Sequence, residues 1–173
     1  MRSATPLACL LLAALLGACG GEDPGLNSVP DGSVPGGSSN PACDPCFQTL
    51  VAETDLCGPA LDQCLDDPTL PVEPIVACFQ TDGRCYDAAL ERSAQCNVAC
   101  GDPTQAQVEL CAGQCFLSRA DCAERVVRGV DACLSACSGS SCDICSNNGI
   151  AAFDDCDADL VSCVDRCKAT FRG

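Results

Sequence analysis

Eighteen cysteines lie between Cys43 and Cys167, and their sulfurs are the groups in this chain best placed to do chemistry. A thiolate binds soft metals, attacks other sulfurs and oxidises in pairs to a disulfide. Four chemistries fit the spacing. All eighteen cysteines can pair as structural disulfides. Facing thiolates inside a helical bundle can hold Cu(I), which prefers sulfur. Cys43-Asp-Pro-Cys46 and Cys142-Asp-Ile-Cys145 could join in a four-thiolate zinc site, or each act as a redox dithiol. Away from sulfur, Asp154, Asp155, Asp157 and Asp159 cluster on one stretch. They lack the spacing and glycine of an EF-hand, so a solvated helix face is the simpler reading.

Composition narrows the choice. The chain of 173 residues has no histidine, which removes Ser-His-Asp and Cys-His catalysis and every His-containing zinc site. Asp and Glu number 24 against 9 Lys and Arg, a net charge of −15 that argues against nucleic acid as a partner. No carboxylate pair stands out as an acid and a base. The sequence therefore points to a protein that is not an enzyme and carries no cofactor or metal.

The elements that position the sulfurs follow from the steps between them. Cys43, Cys46, Cys57 and Cys64 are separated by 3, 11 and 7 residues. Cys78, Cys85, Cys96 and Cys100 follow with 7, 11 and 4, and Cys111, Cys115, Cys122, Cys133 and Cys137 with 4, 7, 11 and 4. Cys142, Cys145, Cys156, Cys163 and Cys167 close the series with 3, 11, 7 and 4. Each step is close to a whole number of helical turns of about 3.6 residues, so each group forms a stripe on one helical face. A strand would need even steps.

Two units repeat. Cys-Asp-x-Cys-x10-Cys-x6-Cys occurs at residues 43–64 and 142–163, and Cys-Phe-x5-Cys-x10-Cys-x3-Cys at 78–100 and 115–137. The order is A, B, B, A, and B carries nearly the reverse of the A spacing, as two antiparallel helices with matched rungs would. Facing positions in such a hairpin share a constant sum of residue numbers. That rule pairs Cys64 with Cys78, Cys57 with Cys85, Cys46 with Cys96 and, one off, Cys43 with Cys100. It also pairs Cys133 with Cys145, Cys122 with Cys156, Cys115 with Cys163, Cys111 with Cys167 and, one off, Cys137 with Cys142. Where the second hairpin has its extra rung, the first has Pro68 and Pro74. A rival pairing of Cys96 and Cys100 with Cys111 and Cys115 does not extend, because Cys85 would face Val126.

The expected fold is all-α: two antiparallel helical hairpins stapled by disulfide ladders, a loop-rich four-helix arrangement after a disordered tether. The hairpins span 43–100 and 101–173. Asp44-Pro45 and Asp102-Pro103 read as helix starts and Gly101 as a helix end. Pro68, Pro71 and Pro74 mark the first loop, and residues 138–141 the second. Gly58-Pro59 should kink or split the first helix, and Asn147-Asn148-Gly149 should disturb the start of the last. Core candidates include Leu50, Val51, Leu61, Leu90, Leu110, Val127, Leu134 and Leu160. Phe47, Phe79, Phe116 and Phe153 should fill the seam between hairpins.

The N-terminus carries an address. Arg2 precedes the short apolar run Leu7–Leu16, which is too short to span a bilayer. Leu16-Gly17-Ala18-Cys19 resembles the lipobox of bacterial lipoproteins. The resemblance implies that residues 1–18 are a signal peptide, that Cys9 leaves with it, and that Cys19 is lipidated and anchors the protein to a membrane. Gly20, where an Asp would retain the protein at the inner membrane, implies the outer membrane, either periplasmic or surface-exposed. Residues 19–42, rich in Gly, Ser, Pro and Asn, then form a flexible tether spanning roughly 25 Å.

An extracytoplasmic address favours disulfides over free thiols. The reading is therefore a cell-envelope lipoprotein whose disulfide-rich module is structural or binds an envelope partner. The alternative rests on Cys-x3-Cys at 96/100, 111/115, 133/137 and 163/167, which resembles the pairs of bacterial four-helix copper-storage proteins and implies Cu(I) binding. The stapled hairpins also resemble twin Cys-x9-Cys proteins and α-hairpinins in architecture, and no function is carried over from those.

Overall fold

The structure, a computed structural model, describes residues 34–67, 70–139 and 141–172. The apolar run Leu7–Leu16, Cys19 and the tether as far as residue 33 lie outside the described residues, as does Pro68. The fold is all-α. A 3-10 turn, Pro41–Cys43, leads into α1 (Asp44–Thr54) and α2 (Cys57–Leu65). These are followed by α3 (Val72–Cys100), α4 (Pro103–Ala136) and α5 (Ser141–Arg172). The first hairpin is α1 and α2 against α3, and the second is α4 against α5. Long helices α3 and α4 pack on each other in the middle.

Local chemistry explains most boundaries. Asn40 caps the entry turn, its side-chain oxygen accepting from the Ala42 N–H at 3.1 Å. The first leg splits at Asp55 and Leu56. Pro59, in the first turn of α2, has no N–H to give the Asp55 carbonyl, so a continuous helix would lose that bond. Residues 101 and 102 end one helix and begin the next. Gly101 adopts φ 93°, which glycine enters without cost. The Asp102 N–H donates to the Asn97 carbonyl at 2.8 Å and the Gly101 N–H to Val98 at 3.2 Å, the two bonds of a Schellman turn. The Asp102 carboxylate then accepts from the Gln105 N–H at 2.9 Å and caps α4, with Pro103 in its first turn.

Three boundaries differ from the sequence reading. Pro74 lies inside the first turn of α3, where its missing N–H has no intrahelical partner to lose. Asn147-Asn148-Gly149 does not interrupt α5. Gly149 is buried there because a Cβ would stand 2.5 Å from Val130 Cγ2 on α4. The tether ends earlier than residue 42. Pro35 is buried, and Ser38 and Asn40 bond the junction of α3 and α4.

The core forms two clusters. One gathers Leu61, Ile75, Phe79, Val127, Leu134 and Phe153, and the other Leu50, Tyr86, Leu90, Phe116, Leu160 and Val164. Phe79 stacks on Phe153 with centroids 5.4 Å apart, and Tyr86 on Phe116 at 4.4 Å. Phe47 is half-buried and packs on the edge of the second cluster, whereas Val51 and Leu110 face solvent and do not belong to the core. Among the described residues no helix is long and apolar enough to cross a membrane.

Helices α3 and α4 approach closely at Gly83, where a Cβ would meet Ala120 Cβ at 2.8 Å and the Phe116 carbonyl oxygen at 3.0 Å. The Gly83→Ala variant is expected to lose about 1–3 kcal/mol of stability through overpacking, although Ala at an open helical site would gain up to about 1 kcal/mol. Urea unfolding with the disulfides intact measures this. A stabilised variant would mean that the two helices are not pressed together at this point.

Candidate functional site

Two features concentrate the chemistry: the sulfur ladders along each hairpin, and the polar groups buried where the hairpins meet. The first ladder joins Cys43–Cys100, Cys46–Cys96, Cys57–Cys85 and Cys64–Cys78. The second joins Cys111–Cys167, Cys115–Cys163, Cys122–Cys156, Cys133–Cys145 and Cys137–Cys142. The bonded residues are the ones whose numbers share a sum within each hairpin, with Cys43–Cys100 and Cys137–Cys142 one off. Steps of three or four residues stack adjacent bridges closely. Cys46 Sγ lies 3.9 Å from Cys100 Sγ, and Cys115 Sγ lies 3.8 Å from Cys167 Sγ.

This arrangement bears on the metal readings. The sulfurs of Cys115, Cys163 and Cys167 lie within 4.8 Å of one another, close enough to share an ion if they were thiolates. Each is instead bonded to another sulfur. The two Cys-x2-Cys pairs do not come together. Cys43 is bonded to the last residue of α3, beside the link, whereas Cys142 is bonded to Cys137 just past the far end of α4. The 34 residues of α4 separate them by about 50 Å at 1.5 Å per residue.

The second feature was not visible as a motif. Asp82 on α3, Arg119 on α4 and Asp157 on α5 form an ionic cluster. The Arg119 guanidinium donates to Asp157 at 2.6 Å and to Asp82 at 3.3 Å. Asp82 and Arg119 are 5% and 7% exposed, so the cluster is largely out of water. Asp82 Oδ1 has no hydrogen-bond partner among the described residues. Burial pushes the Asp82 carboxyl up to about 6 against the pull of Arg119. Burial, with the Asp82 charge adding, pushes the Tyr86 phenol up to about 12. Of the acidic run on α5, Asp154, Asp155 and Asp159 are exposed, and only Asp157 turns inward to this pair.

A second polar group lies nearer the link. Glu109 is fully buried and accepts from Asn97 Nδ2 at 2.9 and 3.0 Å and from Gln105 Nε2 at 2.9 Å. Burial raises its pKa, opposed by those bonds. Gln105 also donates to the Gly36 carbonyl at 2.8 Å, and its Oε1 accepts from Arg172. Arg172 reaches the Gly36 and Gly37 carbonyls as well. Ser38 donates to Asp102 and Asn40 to the Cys100 carbonyl. The Ser38 bond and the Gln105 N–H hold Asp102 below the usual carboxylate range. Residues 36–40 thus strap the link between the hairpins, beside a polar recess of about 570 Å3. An open groove of about 450 Å3, lined by Cys122, Val126, Gly129, Cys133, Cys145 and Asn148, lies between α4 and α5 where the ladder skips eleven residues.

The sequence did contain a signal for the buried charges. Asp82 falls three residues after Phe79 and four before Tyr86, and Arg119 three after Phe116, so both sit on the apolar stripe of their helix. No protein-family model matches the chain, and no curated protein and no solved structure shows significant similarity to it.

The sign of the pH dependence follows from Asp82. Its folded pKa is raised, so the folded state holds a proton that the unfolded state releases. This group therefore destabilises the protein as pH rises from about 4 to about 6, by up to about 3 kcal/mol. Denaturant titrations across that range should show the Asp82→Asn variant with a flatter profile than the parent. Parallel profiles would show that Asp82 does not titrate there. Arg119→Met should cost about 3–5 kcal/mol at neutral pH by stranding buried carboxylates, and should recover part of that loss in acid.

Proposed function

We propose that this chain is a non-enzymatic lipoprotein of the cell envelope, anchored through Cys19, whose stapled acidic module has a structural role or binds an envelope partner. The observation that carries the reading is the state of the sulfurs. All eighteen cysteines from Cys43 to Cys167 are in disulfides, which persist in oxidising compartments outside the cytoplasm. The lipobox-like Leu16-Gly17-Ala18-Cys19 supports the anchor, and an outer-membrane address follows from Gly20 by the same resemblance. The excess of acidic residues, which gives the whole chain a net charge of −15, steers the protein toward cationic rather than anionic partners. The helices are clamped along their length, which suits a spacer or a rigid display surface better than a site that must move during turnover.

Intact mass of the protein purified from envelopes, with and without alkylation under denaturation, tests both halves of the reading. The expected species begins at a lipidated Cys19 and takes up no alkylating agent until it is reduced. A set of free thiols with bound Cu(I) would overturn the structural reading in favour of copper storage. An unmodified chain that starts elsewhere would overturn the anchor.

A further inference from the structure

The two hairpins carry the same repeat, and the way equivalent positions meet assigns a role to the buried charges. Carrying the first B unit onto the second takes Cys78 to Cys115, Phe79 to Phe116 and Cys85 to Cys122. The same shift takes Gly83 to Ala120 and Asp82 to Arg119. Gly83 faces Ala120 across α3 and α4, where a Cβ on Gly83 would stand 2.8 Å from the Ala120 Cβ, and Asp82 and Arg119 are directly bonded. Equivalent positions therefore face each other, as they do beside the axis of an isologous dimer. Among the described residues no disulfide joins one hairpin to the other, and only residues 101 and 102 connect them.

The faces are alike in shape but opposite in chemistry. If two copies of the first hairpin met through this face, Asp82 would oppose Asp82. The buried Asn97 would then oppose Val72, the residue that corresponds to Glu109. If two copies of the second met, Arg119 would oppose Arg119, and the buried Glu109 would oppose Leu134, which corresponds to Asn97. Only a first hairpin against a second places Arg119 on Asp82 and Asn97 on Glu109 while keeping Val72 and Leu134 in one apolar cluster. Like charges and stranded polar groups exclude the other pairings.

We propose that the α3–α4 face is a self-recognition surface whose second occupant is another copy of this chain. Any first hairpin can pair with any second hairpin, within one chain or exchanged between two, and Asp82 and Arg119 set the pairing rule. Within one chain the short link and the strap of residues 36–40 favour closure. Exchange therefore takes over where closure within the chain is disfavoured.

Charge-reversed variants of the full chain, with disulfides intact, test this. Asp82→Arg alone sets two arginines face to face, and Arg119→Asp alone sets two aspartates. In a mixture, the first hairpin of one variant and the second hairpin of the other restore an opposite pair, and the remaining two hairpins form the parental pair. Native mass spectrometry should show a one-to-one heterodimer in the mixture, at least about tenfold above the dimer formed by either variant alone. Monomers only in the mixture, or homodimers as abundant as the heterodimer, would overturn the proposal. If either variant scrambles its bridges, the parent chain decides the question. Light and heavy isotopic forms, opened together in denaturant without reductant and diluted at high concentration, should yield mixed-isotope dimers, and their absence would overturn the proposal.

Discussion

A disulfide between two helices accepts only a narrow separation of their axes. Here all nine bonded pairs hold their Cα atoms 5.3–5.8 Å apart. Repeating that bond along a hairpin fixes distance, register and rotation together, because each rung must meet the partner's stripe in phase. The fold inherits its shape from this condition. Helices brought so close leave little room for large side chains between them, and the remaining apolar bulk collects on the other faces, where the hairpins meet. The core there is thin, with alanines at 89, 94, 106, 112, 120 and 123 among its buried members. A core of this size gives a small domain little margin, so restriction of the unfolded chain by sulfur carries much of the load.

The junction between hairpins obeys a different rule. Among the described residues no disulfide crosses it, and its centre holds Arg119 between two carboxylates, one with an oxygen that has no partner among those residues. A buried ion pair is a poor source of stability, since desolvation offsets much of the attraction, while its removal in part is costly. Apolar residues would fill the same space at lower risk. The cluster makes better sense as discrimination. It sits at the point where the two like faces would otherwise be interchangeable, and it makes the wrong matches expensive. The same burial that raises the Asp82 carboxyl to about 6 makes this junction more tolerant of mild acid than of neutral pH.

The all-α class and the stapled hairpins were legible because cysteine spacing encodes both a helical period and a partner. Pro59 and the Gly101-Asp102-Pro103 link were legible because their effects are local. The rest depended on what lies across an interface. Asn147-Asn148-Gly149 reads as a turn in isolation, yet Gly149 is where Val130 needs room. Pro74 reads as loop until the helix start is known to be Val72. Val51 and Leu110 are apolar but fall on faces that no neighbour covers. Residues 34–40 have no periodicity, and their order comes from bonds to Asp102, Gln105 and Cys100, sixty or more residues away. Asp82, Arg119 and Glu109 look like surface charges by type, and only their place on the apolar stripe marks them as interior.

Nested bridges also change what each bond contributes. The innermost pair of the second hairpin, Cys137–Cys142, closes 5 residues, and the outermost, Cys111–Cys167, closes 56. Taken alone, the outer bond would restrict the unfolded chain far more, because loop entropy grows with length. Once Cys115–Cys163 exists, however, only a few residues on each leg remain for the outer bond to close. A ladder that closes from its turn outward meets a small entropic barrier at every step, and its last rung adds little beyond the one before. Nine bonds therefore do not stabilise nine times as much as one. Their number fits a different demand: with eighteen thiols free to exchange, only consecutive rungs on two straight helices satisfy every sulfur at once, and a shift of register by a single residue leaves the stripes out of phase.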